Sequence, residues 1–373
     1  MQILENGRKA LLLLEDGTQF EGLSFGAQGT SIGEVVFTTG MTGYQETLTD
    51  PSYYGQIVTQ TFPLNGNYGV NHEDGESDQS YVKGYIVREW CEHPSNFRCE
   101  GTVDQFLKDH GVIGLYDIDT RALTRRLREH GVMNGMITTD PQGVLADLEG
   151  NLAKLRAYKV QDAVQQVTIS HPHRYAPEHP RFEVALMDYG YKRNIRRSLL
   201  NRDCAVTVMP AATTAEEIRQ GGFDGVMLSN GPGDPAENQT LIQNLREIAA
   251  LGLPVFGICL GHQLMALSQG ARTAKLKYGH RGANQPVLEL GSGRTYVTSQ
   301  NHGYEVVAGS VPAPGKVTHL NANDGSCEGA SYEGGRIFTV QFHPEACCGP
   351  TDTSELFDRF LQLMEEAKGK GEN

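Results

Sequence analysis

Pro254-Val255-Phe256-Gly257-Ile258-Cys259-Leu260-Gly261-His262-Gln263 is the stretch that decides how this chain is read. The apolar run Val255–Ile258 predicts a buried strand, and it ends in Gly-x-Cys-x-Gly. A helix-compatible stretch with Leu264 and Leu267 follows, stopped by Gly270. A strand that bends sharply into a helix, with one nucleophilic side chain at the bend, is a nucleophile elbow, here in its thiol form. Glycines flank such a bend because the backbone segments approach too closely for a Cβ. The helix N-terminus beneath the sulfur favours thiolate, which a free cysteine with a pKa of about 8.5 supplies sparingly at neutral pH. The plainer reading is a small buried cysteine at the end of a core strand, and this segment alone leaves it open.

A base is the next requirement. Gly335 to Phe342 reads as a strand, and it delivers His343-Pro344-Glu345. Pro344 stops the strand and holds His343 at its end. Glu345 is placed to accept a hydrogen bond from the imidazole and select its tautomer. If both strands are parallel neighbours in one sheet, Cys259, His343 and Glu345 come together despite their distance in sequence. Taken alone, His343 reads as a hydrogen-bonded histidine in a turn; beside the elbow the catalytic reading gains. A third element, Ser229-Asn230-Gly231-Pro232-Gly233-Asp234-Pro235, also follows a predicted strand. Its glycines expose backbone amides that suit an oxyanion or a carboxylate. A mere turn has the same composition, and a phosphate loop is excluded because Gly-x-x-x-x-Gly-Lys-Ser/Thr is absent.

Composition narrows the class. A chain of 373 residues predicts two domains, each able to bury a core. The formal charge of −13 argues against nucleic acid or an anionic membrane as partner. The seven cysteines form no CxxC pair, which fits a reduced, cytoplasmic protein without a zinc site. Adjacent Cys347 and Cys348 do not match structural-zinc spacing and read as bystanders. Met1 to Gly7 lacks the plan of a signal peptide, and the longest apolar run, Ala10 to Leu14, is far too short to span a membrane.

The N-terminal part is expected to be β-rich. Lys9–Leu14 and Thr18–Phe25 flank the hairpin signal Asp16-Gly17, with further strands at Glu34–Thr38 and Gln56–Thr61. A helix is expected from Asp119 to His130, closed by Gly131; its arginines (Arg121, Arg125, Arg126, Arg128) read as a solvated face. Residues 1–168 are assigned to this domain. Three prolines around His171, His173 and His179 mark residues 169–182 as a linker, and the histidines lack partners at metal-ligand spacing. In 183–373, strands at Glu183–Asp188, Ala205–Met209 and Gly225–Ser229 alternate with helices near Lys192–Arg202, Thr214–Gln220 and Thr240–Leu251. The fold class is therefore α/β, a doubly wound, mainly parallel sheet preceded by a β-rich domain. Thr353 to Ala367 closes the chain as an amphipathic helix.

The three elements together, in this order, resemble the triad (class I) glutamine amidotransferases over roughly residues 183–368. Gly33-Glu34-Val35-Val36-Phe37, Met41-Thr42-Gly43-Tyr44-Gln45-Glu46, Thr49-Asp50-Pro51-Ser52-Tyr53 and Asp117-Ile118-Asp119-Thr120-Arg121 extend the likeness through the N-terminal half. There the chain resembles the small, glutaminase subunits of carbamoyl phosphate synthetases. The resemblance implies Cys259 as nucleophile, His343 as general acid and base, and Glu345 as its orienter. It implies that L-glutamine is held by Ser52, Gly231, Gly233, Leu260, Gln263, Asn301, Gly303 and Tyr304, with Asn301 to Tyr304 following a strand at Tyr296–Ser299. Phe is more usual in the family where this chain has Tyr304, which keeps the ring and adds a hydroxyl. It further implies a large synthetase subunit as partner, ATP and Mg used there, and no cofactor or metal in this chain. The rivals are another class I amidotransferase, a silent regulatory subunit and a cysteine protease. The N-terminal motifs disfavour the first, the intact Cys-His-Glu set the second, and an elbow built for a small amide the third.

Overall fold

The structure, a computed structural model, describes residues 8–371. The expectation drawn from Met1–Gly7 lies outside the described residues. The chain divides into two compact units, Met1–Gln161 and Asp162–Asn373.

The N-terminal unit is built on a closed barrel of seven strands. They are β1 (Lys9–Leu14), β2 (Gln19–Gly26), β3 (Thr30–Thr38), β4 (Gln56–Gln60), β5 (Gly84–Ile86), β6 (Ile113–Tyr116) and β7 (Met133–Thr138). Around the barrel the order is β1-β2-β6-β5-β4-β3-β7. The expected hairpin forms, with Leu12 opposite Phe20 and Gly17 at φ 87°. Leu11, Leu12, Leu13 and Leu14 are all fully buried. The pattern is explained by two layers. Leu11 and Leu13 pack with Met136, Leu152 and Leu155 in one cluster, while Leu12 and Leu14 crowd Gly135 beside Val35. Closure leaves no sheet edge to cover. The helix α1 (Thr120–His130) starts one residue after the expected position, because Asp119 is its cap and accepts from the Ala122 amide.

The C-terminal unit holds a sheet of ten strands. In chain order these are β8 (His173–Tyr175), β9 (Phe182–Asp188), β10 (Cys204–Pro210), β11 (Gly225–Leu228), β12 (Val255–Ile258), β13 (Thr273–Glu289), β14 (Thr295–Val306), β15 (Lys316–Asn321), β16 (Cys327–Tyr332) and β17 (Ile337–Val340). Across the sheet the order is β8-β10-β9-β11-β12-β17-β16-β14-β13-β15. The five strands from β10 to β17 are parallel, and the rest pair antiparallel. Helices α2 (Arg193–Leu200), α3 (Ala215–Gln220), α4 (Gln239–Ala250), α5 (Leu260–Ser268) and α6 (Glu355–Gly371) cover the parallel part. Two core clusters lie on opposite faces of the sheet. One joins Ile218, Leu245, Ile248 and Leu264, the other Ile195, Leu199, Phe357 and Phe360, which is the doubly wound arrangement. The expected capping box at Thr214 and Glu217 is present.

Residues 169–182 differ from the expected linker. His173–Tyr175 pairs antiparallel with Val206–Val208 as an edge strand of the second sheet, and the division between units falls before Asp162. Prolines at 172 and 177 flank that short strand rather than preventing it, since an edge strand needs amides on one side only. Among the described residues no helix is long and apolar enough to cross a membrane.

Candidate active site

The strand order places a topological switch beside β9, from which the chain winds to β10 on one side and to β11 and β12 on the other. Loops at the carboxyl ends of these strands meet there, the place where open α/β sheets bind ligands. Each expected element of the C-terminal unit stands at such an end.

Cys259 follows β12 and is the residue immediately before α5. Its backbone has φ 52° and ψ −104°, outside the regions that non-glycine residues ordinarily occupy. Strain of this kind persists only when the surroundings impose it. Three contacts do so. The Cys259 amide donates to Val340 O at 2.9 Å, the Gly261 amide donates to Ser229 O at 3.0 Å, and Cys259 O accepts from the Gln263 amide at 3.1 Å. A Cβ on Gly261 would stand 2.6 Å from Leu228 O, so only glycine lets α5 begin against β11. The thiol is buried and donates to Asn301 O at 3.7 Å.

β12 and β17 are neighbouring parallel strands, with Ile258 opposite Val340. The chain leaves β17 through Gln341 and Phe342 and reaches His343, whose amide donates to Ser299 O at 2.9 Å. His343 Nδ1 lies 2.7 Å from Glu345 Oε1, with both side chains buried. The carboxylate fixes the ring and leaves Nε2, which has no hydrogen-bond partner in the structure, as the working nitrogen. Lys192 Nζ lies 3.3 Å from the same Glu345 oxygen. Burial alone would push the Glu345 carboxyl up; the adjacent His343 and Lys192 overcome it and hold the group at about 2.

The loop after β11 is knitted to the loop after β9. Ser229 Oγ accepts from the Tyr189 amide at 2.9 Å, Asn230 Oδ1 accepts from the Lys192 amide at 3.0 Å, and Asn230 Nδ2 donates to Gly190 O at 3.0 Å. These bonds set the position of Lys192. A Cβ on Gly231 would fall 2.1 Å from Tyr189 O and 2.8 Å from Leu260 Cδ2, so this glycine sits directly over the start of α5. Gly233 has φ 88° and lies beside Ala163.

Asn301, Gly303 and Tyr304 lie within β14 rather than after a strand, because β13 pairs along both flanks of the segment. The ladder breaks between Lys275 and His280, where Gly279 at φ 72° presses against His302 O. Gln263 on α5 donates to Tyr304 O at 2.8 Å and to Gln341 Oε1 at 2.9 Å, which ties the helix to both strands. Gly231, Cys259, Leu260, Gln263, Asn301 and Tyr304 therefore form one cluster, and His343 and Glu345 follow the strand next to the one that ends at Cys259. Ser52 belongs to the N-terminal unit, in a 3-10 turn at Pro51–Tyr53 whose cap Asp50 accepts from the Ser52 amide at 2.9 Å.

Sequence reasoning missed Lys192 and Gln341, and it named Asn230 only as part of a backbone-amide loop, not for its side-chain bonds. A usable signal existed for Lys192, since it stands just past the predicted strand Glu183–Asp188 at its carboxyl end. Gln341 carried none, being a polar residue inside the predicted strand Gly335 to Phe342 until its partner Gln263 is seen.

Comparisons with known proteins agree with this layout. Residues 12–137 match the family described as carbamoyl-phosphate synthase small chain, CPSase domain, and residues 185–363 match glutamine amidotransferase class-I. A carbamoyl phosphate synthase small chain from Symbiobacterium thermophilum is 49% identical over 95% of this chain and 98% of its own length. One from Bacillus cereus is 49% identical over 98% of each chain. One from Listeria innocua is 50% identical over 98% of this chain and 99% of its own. With likeness of that depth across both units, the chain belongs to the carbamoyl phosphate synthase small chain family.

Proposed function

We propose that this chain is the glutamine-hydrolysing subunit of a carbamoyl phosphate synthase, an amidotransferase whose second unit releases ammonia from L-glutamine for a large synthetase subunit. The observation that carries the reading is the buried His343, its Nδ1 committed to Glu345 and its Nε2 open, one strand away from Cys259 at an elbow. The family membership supports the same reading.

In this mechanism the Cys259 thiolate attacks the side-chain carbonyl carbon of glutamine. The C=O electrons move onto oxygen, and the amides of Leu260 and Gly231 receive the oxyanion. The Leu260 N–H is among the first four of α5, which have no partner within a helix. Each such donor is worth about 10²–10³ in rate. The C–N bond then breaks as His343 gives a proton to the departing nitrogen, so ammonia leaves and a γ-glutamyl thioester remains. Water attacks the thioester while His343 takes its proton; glutamate departs and the thiolate returns. Gly233, Gln263, Asn301, Gly303 and Tyr304 line or brace the glutamine pocket. The thiol chemistry needs no cofactor. Ammonia passes to the large subunit, which consumes bicarbonate and ATP with Mg in the cytoplasm.

The test uses the complex of both subunits. Cys259→Ser is expected to abolish glutamine-dependent carbamoyl phosphate synthesis and to spare synthesis from added ammonia. Loss of both together, or survival of the glutamine-dependent reaction, would overturn the proposal.

A further inference from the structure

Beside the glutamine segment, on the antiparallel half of the sheet, His280 of β13, His302 of β14 and Glu328 of β16 converge. All three are buried, and one donor atom from each lies within 4.8 Å of the others. His280 and His302 face each other across the strand pair, their rings at 89° and 4.9 Å apart.

Each histidine already has the outer partner that a metal ligand needs. His280 Nε2 lies 2.8 Å from Asp324 Oδ2, so its N–H points at the carboxylate and Nδ1 is left facing Glu328 at 3.5 Å. Apart from that long approach to Glu328, the Nδ1 has no hydrogen-bond partner among the described residues. His302 Nδ1 lies 2.8 Å from Tyr304 O, which can only accept, so the ring proton sits there and the lone pair is on Nε2. A histidine with one nitrogen tied to a carboxylate or backbone carbonyl, and the other free to ligate, is the usual second-shell pattern. Asn321 Nδ2 steadies Glu328 Oε1 at 3.1 Å, while the fully buried Oε2 has no partner.

The hydrogen bonds around His302 are also one proton short. Its Nε2 meets Gln300 Oε1 at 3.1 Å, a lone pair against a lone pair. Turning the Gln300 amide over moves the fault to Thr298 Oγ1, whose only proton goes to Gln285 O at 2.9 Å. A cation at that point would take up the facing lone pairs of His302 Nε2 and Gln300 Oε1. A tetrahedral ion of the zinc class, bound at about 2.0–2.2 Å, needs donors about 3.4 Å apart. The 3.1 Å gap from His302 to Gln300 and the 3.5 Å gap from His280 to Glu328 are already close to that edge. Asp324, with 45% of its side chain exposed, marks the side open to solvent.

The geometry points to a divalent-metal site of the zinc class, with His280, His302, Glu328 and the Gln300 side-chain oxygen as ligands and Asp324 orienting His280. Its bound ion pins β13, β14 and β16 together behind the segment Asn301–Tyr304 and takes no part in thiol chemistry.

The probes are Zn²⁺ and Co²⁺ alone, titrated into the chelator-stripped full chain. One equivalent is expected to bind, with a cobalt spectrum of nitrogen and oxygen ligation in tetrahedral geometry. Glu328→Gln, nearly isosteric, is expected to abolish that equivalent. Asp324→Asn, outside the ligand shell, is expected to weaken it roughly 10–100-fold. A melting curve of each stripped variant checks the fold. In the wild type alone the metal should raise the melting temperature. No binding by the wild type, unchanged binding in Glu328→Gln, or an intense thiolate charge-transfer band pointing to Cys259, Cys347 or Cys348 would each overturn the site. None of these readouts depends on glutamine hydrolysis, so the site and the glutaminase reading fail separately.

Discussion

The histidines of the N-terminal unit, His72, His93, His110 and His130, are exposed or half-buried, whereas the C-terminal unit buries His262, His280, His302, His319 and His343. The first unit is a closed barrel whose backbone is satisfied around the ladder and whose interior is filled by Leu12, Leu14 and Val35. The second is an open sheet with strand ends, where loops converge and polar side chains must be paired as they are buried. It carries Lys192 against Glu345 and His280 between Asp324 and Glu328. The first unit also buries polar groups, Asp50 and Glu76 among them, but no histidine among its described residues; the second buries imidazoles and a lysine against carboxylates, where chemistry can use their charge and lone pairs.

Acidification should separate the two most strongly. Burial, reinforced by the nearby His319, holds His262 at about 3, and burial holds His319 at about 4. In an unfolded chain both titrate at about 6.5. Between those values the unfolded state takes up protons that the folded state refuses, so stability falls as pH falls. The slope is about 1.4 kcal/mol per pH unit for each group, or about 5 kcal/mol for the two from pH 6.5 to 4.5. Amide hydrogen exchange in Leu11–Leu14 and Val255–Ile258, followed against pH, should show the second segment losing protection first; a parallel loss would break the contrast. Leu12→Ala probes the other side. It should lower the barrel's stability by about 3 kcal/mol and leave the acid response of the second unit as it was.

Glu345→Gln sharpens the comparison at the site itself. The amide no longer supports imidazolium or enforces the tautomer, and glutaminase kcat should fall about 10²-fold with little change in KM. In the wild type the carboxylate is held down at about 2, so its contribution to stability is complete above its ordinary 4.5 and is lost only as pH falls from there toward 2. Any acid limb of the rate profile that lies above pH 4.5 should therefore not report Glu345. The smallest effect is expected from Thr214→Ala, which removes the capping box of α3. A loss of about 1 kcal/mol in the second unit's unfolding free energy, with an unchanged rate, is the expected result.

Much of the C-terminal unit was legible because its signals are local. Val255–Ile258 is continuously apolar as a buried parallel strand must be, the capping box names the start of α3, and Gly270 at φ 93° stops α5. Cys259, His343 and Glu345 were legible because they follow predicted strands at their carboxyl ends. What stayed hidden depends on partners distant in sequence. Barrel closure rests on β3 pairing with β7 and β2 with β6, and no short pattern records either. The run of β14 past Ser299 depends on a break in its neighbour at Gly279. His173–Tyr175 is too short and too polar to announce itself, and only Val206–Val208 makes it a strand. Glu328 reads as a surface carboxylate in an alternating strand until His280 and Asn321 are found around it.

The amides of Cys259 and His343 are both fixed to backbone carbonyls of the same sheet, Val340 on β17 and Ser299 on β14. The backbones that carry sulfur and imidazole are thereby placed by the sheet, whose strands lie about 4.8 Å apart, rather than by the length of any connection. Evolution is then free to lengthen, shorten or rebuild the exposed turn at 290–294 without disturbing the pair. A chain nicked there, or circularly permuted to begin there, should keep its two reacting groups in place.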